Sequence, residues 1–190
     1  MLARVKLRGR RSRRGVALRN AVVGVSVGGC VLAAFVPTFV RNLHLSKASE
    51  AAEHLERMHQ GAAAYFAATR TIEGVDRTAC LPDSAGPTPL APSEDPVEVL
   101  FGAPETPGHE TWSALGFQPD RGIRFSYAFE PVAVGCGLRS PEGTYLVTFR
   151  ARGDLDGDGE QSIFERRAAA SDAPGTLEPV GILYVADRVE

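Results

Sequence analysis

Apolar and polar positions along the chain follow three successive patterns. From Ala21 to Val40 no residue is ionisable apart from the Cys30 thiol. A helix of that length reaches roughly 30 Å, the hydrocarbon thickness of a bilayer. The pattern predicts a transmembrane helix over residues 16–42, bent near Pro37, where a backbone hydrogen bond is lost. The period then changes. Ala48, Ala51, Ala52, Leu55, Met58, Ala62, Tyr65 and Phe66 recur at steps of three and four, while Lys47, Glu50, Glu53, Glu56 and Arg57 take the opposite face. This predicts an amphipathic extension of the helix over 43–70, with one apolar stripe laid on a sheet. From residue 111 onward the alternation is strand-like: Ile123–Phe129, Val132–Val134, Tyr145–Phe149 and Ile182–Val185 are the expected strands of an antiparallel sheet domain over 111–190. The fold class expected is α+β, a long N-terminal helix packed on an antiparallel sheet.

Residues 71–110 separate helix from sheet and hold seven of the thirteen prolines, between Pro82 and Pro107. They are expected to form an irregular loop packed over the sheet through Leu100, Phe101 and the following Trp112, with a short helix over 96–102. His54 and His59 are five residues apart, off ligand spacing on one helical face, and are expected in solvent.

Charge sharpens the membrane reading. The chain's net charge is −2, yet residues 1–15 hold seven Lys/Arg and no acid, leaving −9 for the remainder. Cations ahead of an apolar run keep the N-terminus cytoplasmic and send the rest across the inner membrane. An acidic exported domain disfavours nucleic acid as its partner. Cys30 is expected to be a small apolar filler. Cys80 and Cys136 are the only cysteines of the exported part, and an oxidising compartment favours a disulfide between them over two buried thiols.

One segment carries chemistry. Asp154-Leu-Asp156-Gly-Asp158-Gly159-Glu160-Gln-Ser162-Ile-Phe-Glu165 matches a twelve-residue calcium loop position by position. Ca²⁺ takes six to eight oxygens. Asp154, Asp156, Asp158 and Glu165 would give carboxylates, Glu160 its backbone carbonyl and Ser162 a hydroxyl or bridging water, with Gly159 at the sharp turn. The flank TYLVTFRAR reads as a strand, so the loop is expected between sheet elements. The alternative is an acidic exposed turn. No nucleophile elbow, phosphate-binding glycine loop or zinc-protease motif occurs, so no catalytic residue is assigned and no enzyme activity is expected.

Gly15 before an apolar helix, Pro37 twenty-two residues after that glycine, Phe39, and a polar, Ala-rich helix ending at Tyr65-Phe66 together resemble the N-terminus of type IV prepilins and pseudopilins. Trp112-x-x-Leu115-Gly116-Phe117 followed by Phe125-Ser126-Tyr127 also resembles pilin-like proteins of Gram-negative bacteria. The resemblance implies cleavage of a basic leader (1–15) between Gly15 and Val16, N-methylation of Val16, and partners in a prepilin peptidase, an assembly platform and other pilin-like subunits. It also implies calcium-stabilised folding, as in some pseudopilins. Val16 stands where the family usually has Phe, and Asn20 where it has a glutamate that pairs with a neighbour's amine. The implied role is therefore a minor or tip subunit of a filament, with the exported domain in the periplasm or outside the cell. Two other readings remain: an unprocessed signal-anchored binding module, and an exported domain with a twin-arginine or lipoprotein signal.

Overall fold

The computed structural model describes residues 48–154, 157–173 and 175–186. The expectations for Gly15, Val16, Asn20, Cys30, Pro37 and the transmembrane run fall outside them. Among the described residues no helix is long and apolar enough to cross a membrane.

The described part is α+β. Helix α1 covers residues 48–67. A small hairpin follows, β1 (Arg70–Ile72) with β2 (Val75–Arg77), then strand β3 (Ala85–Thr88) and a short helix α2 (His109–Ala114). Four strands complete the order: β4 (Ser126–Pro131), β5 (Val147–Gly153), β6 (Ser162–Ala170) and β7 (Leu177–Ala186). The five strands β3-β4-β5-β6-β7 form one antiparallel sheet in which sequence neighbours are spatial neighbours.

Helix α1 forms because its stripe has somewhere to go. Ala51, Leu55, Met58, Ala62 and Phe66 are buried, in one core with Phe117, Tyr127, Phe129, Phe149 and Phe164. Burying a side chain such as Leu55, Met58 or Phe66 contributes about 1.5–3 kcal/mol each, more than the helix's own propensity can supply. Polar contacts fix the helix on the sheet side. The Glu50 carboxylate accepts the Arg124 backbone N–H at 2.8 Å, Arg57 reaches Asp120 at 3.2 Å, and Arg166 of β6 donates to Glu56. Gly61 lets the helix backbone approach the segment after α2: a Cβ there would lie 2.0 Å from the Leu115 carbonyl oxygen.

Several expectations are corrected. The Pro-rich segment is not wholly irregular, because the hairpin begins at Arg70 and β3 joins the sheet as an edge strand. Proline, lacking a donor N–H, is tolerated at such an edge. No helix forms over 96–102; Val97 instead makes an antiparallel bridge with Ile123. Phe101 and Trp112 are buried with rings 5.1 Å apart, whereas Leu100 is exposed. Residues 132–134 form no strand, and both valines face solvent. β6 was not expected: its run of Glu165, Arg166 and Arg167 hides the alternation that Ser162, Phe164 and Ala168 keep on the core side. His54 and His59 are buried, not solvated.

Candidate cation loop and the residues around it

The acidic segment connects β5 to β6. Gly153 pairs with Ser162 at the base of this hairpin, and its missing side chain accommodates Phe125, whose Cε1 would lie 2.4 Å from a Cβ there. The turn is shaped by Asp154, whose Oδ1 accepts the Gly157 N–H at 2.8 Å and whose Oδ2 accepts the Gly159 N–H at 3.1 Å. Asp158 Oδ1 accepts the Glu160 N–H at 2.7 Å. Gly157 and Gly159 have φ of 80° and 94°, in the left-handed region that a side chain disfavours. Glu160 is exposed and Ser162 is buried at the start of β6. Asp156 lies outside the described residues.

Glu165 is placed elsewhere. Residues three apart on a strand face opposite ways and lie about 10 Å apart, so Ser162 turns to the core and Glu165 to the outer face of the sheet. There Glu165 Oε1 accepts from Arg150 Nε at 2.8 Å and from its terminal nitrogen at 2.7 Å, and Oε2 pairs with Arg167 at 3.2 Å. Arg150 also reaches Glu130 at 2.7 Å, so three strands are tied by one ladder of charge. The structure thus brings Asp154 and Asp158 together at the turn and leaves Glu165 with arginines. No group of three His, Cys, Asp or Glu among the described residues is arranged to hold a metal. A residue missed by sequence reasoning does approach the loop: Glu94 Oε2 would lie 3.2 Å from a Cβ on Gly157. Nothing in its Pro-rich surroundings signals that contact, which depends on how the segment folds back.

The second expected pair is joined. Cys80 and Cys136 form a disulfide across 56 residues of sequence. Backbone bonds flank it: Leu81 and Gly135 exchange N–H···O bonds of 2.9 and 3.1 Å, and Leu138 N–H donates to Ala79 at 3.0 Å. The disulfide fastens the start of the Pro-rich segment to the chain leaving β4.

A cleft of about 600 Å³ lies between α1 and the segment before β4, lined by Glu50, Glu53, Arg57, Asp120 and Arg124. These charges answer one another through Glu50–Arg124, Glu53–Arg57 and Arg57–Asp120 pairs, and His54 and Arg121 line the same cleft.

No family model, curated protein or solved structure matches this chain.

Proposed function

We propose that this chain is a minor or tip subunit of a type IV pilus- or pseudopilus-like filament, held in the inner membrane by residues 16–42 before assembly. The observation that carries the reading is the position of α1. A helix begins no later than residue 48, soon after the apolar run, and its stripe is the core of an antiparallel sheet domain. A helix that follows the apolar run within a few residues of sequence and also supplies the domain core suits a filament subunit. The register of Gly15 and Pro37 in the sequence supports the same reading, and a prepilin peptidase, an assembly platform and other pilin-like subunits are its partners. The Cys80–Cys136 disulfide suits an exported domain.

Calcium belongs to this proposal as a stabilising ion of the β5–β6 loop, held by Asp154, Asp156, Asp158, Glu160, Ser162 and Glu165. Binding by the full set requires the start of β6 to leave the sheet, because Ser162 and Glu165 now face opposite ways, and Glu165 to exchange Arg150 and Arg167 for the cation. The turn glycines and the clustered aspartates support this ligand.

Mass spectrometry of the membrane-extracted protein tests the main reading. The expected mature chain starts at Val16 with a methylated amine. An intact Met1 would replace the filament subunit with a signal-anchored binding module, and a lipidated Cys30 with a lipoprotein.

A further inference from the structure

We propose that His54 and His59 make the docking of α1 on the sheet sensitive to acid, so that protonation loosens the helix before the hydrogen-bonded sheet opens. This inference does not depend on the filament reading.

The geometry is that of a latch with two ionisable teeth. Both rings are about nine-tenths buried. His54 stands edge-on to Phe117 at 6.0 Å and to Tyr127 of β4 at 5.4 Å, and His59 edge-on to Phe149 of β5 at 6.0 Å. Among the described residues, neither His54 Nδ1 nor either nitrogen of His59 has a partner in hydrogen-bonding geometry. A neutral imidazole tolerates such a site; a cation loses much of its hydration there, and the cleft that His54 borders also carries the Arg121 cation.

The surrounding charges decide whether that loss could be offset. On α1, Glu50 and Glu53 favour a charged His54 and Arg57 opposes it, while Asp120, in the segment before β4, favours it. Yet Glu50 already holds Arg124, and Glu53 and Asp120 already hold Arg57. The Tyr127 phenol facing His54 is itself buried and neutral. Near His59, Glu56 lies 3.9 Å from Nδ1, but it is bound to Arg166 of β6, which opposes a second cation; the Leu177 backbone favours one. Each of these carboxylates already pairs with an arginine, Glu56 through Oε2 while its Oε1 faces His59, and burial outweighs what attraction remains. Both histidines are held below the ordinary value of 6.5, first by burial.

The sign follows. A histidine that protonates at about 6.5 when freed, and lower when docked, gives stability that is complete above pH 6.5 and drains away as pH falls toward the docked value. The undocked state gains about tenfold in relative population per pH unit for each histidine that takes a proton only on release.

The test is hydrogen exchange on the full-length protein in detergent micelles, between pH 7.5 and 5.0, as protection factors corrected for the intrinsic rate. Amides of residues 48–67 should lose protection progressively as pH falls below 6.5, by up to about tenfold per pH unit for each histidine, while those of β4, β5 and β6 lose much less. His54→Gln with His59→Gln should flatten that dependence. Should the double variant fail to fold, imidazole NMR titration of the wild type decides, and both rings are expected to titrate below 6.5. Ordinary titration of both rings with α1 protection intact would overturn the proposal, as would equal acid loosening in wild type and double variant, or sheet and helix opening together.

Discussion

Gly61→Ala sets two well-defined effects against each other. Gly61 lies inside α1, where helix propensity alone favours alanine by about 0.8–1 kcal/mol. The structure opposes it, since the new Cβ would sit 2.0 Å from the Leu115 carbonyl oxygen and 3.0 Å from its carbon. The obstacle is backbone, just beyond α2, held by Leu115 N–H donating to Thr111 and Phe117 N–H donating to Trp112. It cannot rotate away like a side chain, so α1 must shift off the core. Overpacking typically costs about 1–3 kcal/mol, and an obstacle of this kind belongs at the upper end. The net expectation is a loss of about 2 kcal/mol, or a melting temperature lower by about 8 °C for a domain of this size. Thermal unfolding of the full-length protein in detergent, followed by far-UV circular dichroism, measures it. Ala64→Gly, exposed on the same helix, serves as the companion and should cost about 1 kcal/mol through propensity alone. A Gly61→Ala protein more stable than wild type would refute the close approach of α1 to Leu115 and leave propensity in charge.

Three further outcomes are expected. Replacing Cys80 and Cys136 together by serine frees a loop of 56 residues and should lower stability by about 2–4 kcal/mol, read as a shift in denaturant midpoint; no shift would mean that the flanking backbone bonds alone hold the junction. Tyr127 is held well above its ordinary value by burial, with Glu50 and Glu53 adding to the effect; because its ionisation is favoured only on unfolding, stability should decline as pH rises beyond about 10. Its phenolate absorbance should then appear with unfolding, and a titration preceding unfolding would contradict its placement. Calcium at a hundredfold over its Kd should add about 2.7 kcal/mol of stability, and Asp154→Ala should abolish the increment. Glu165→Ala separates a six-residue site from one confined to the turn, and Glu94→Ala, beside Gly157, is expected to perturb the increment. A melting temperature indifferent to millimolar calcium would reduce the loop to an acidic turn.

Much of this architecture was legible because its periods are clean. The α1 stripe and the β4 and β5 strands could be read from alternation alone, and the disulfide from there being two cysteines beyond the apolar run. The histidines were legible too, although metal-ligand spacing was the wrong ruler. Positions 51, 54, 55, 58, 59, 62 and 66 follow the steps of a buried helical face, which puts both rings inside. β6 was harder, because Glu165 and Arg166 serve partners on β5 and α1 that only the folded sheet brings near, and Arg167 pairs with Glu165 beside them. β3 was hidden by Pro87 and the adjacent Pro89, since proline is permitted at an edge but reads in sequence as a turn. The site was half legible. Spacing located the turn and its glycines, but a strand after the loop, where a helix would have curled back, sends Glu165 to Arg150.

The serial order of the sheet has a consequence for how the domain comes into being. Sequence neighbours pair throughout β3 to β7, so each strand can add to the one made before it. The helix has no such arrangement. Its stripe of Leu55, Met58 and Phe66 is synthesised first, yet it shares one core with Phe149, Phe164, Ala168 and Leu177, which are synthesised last. For much of its synthesis the chain therefore carries that stripe without its full cover. A product truncated before Ser162 would lack Phe164, Ala168 and Leu177 for good, leaving the stripe partly bare and open to chaperones and proteases.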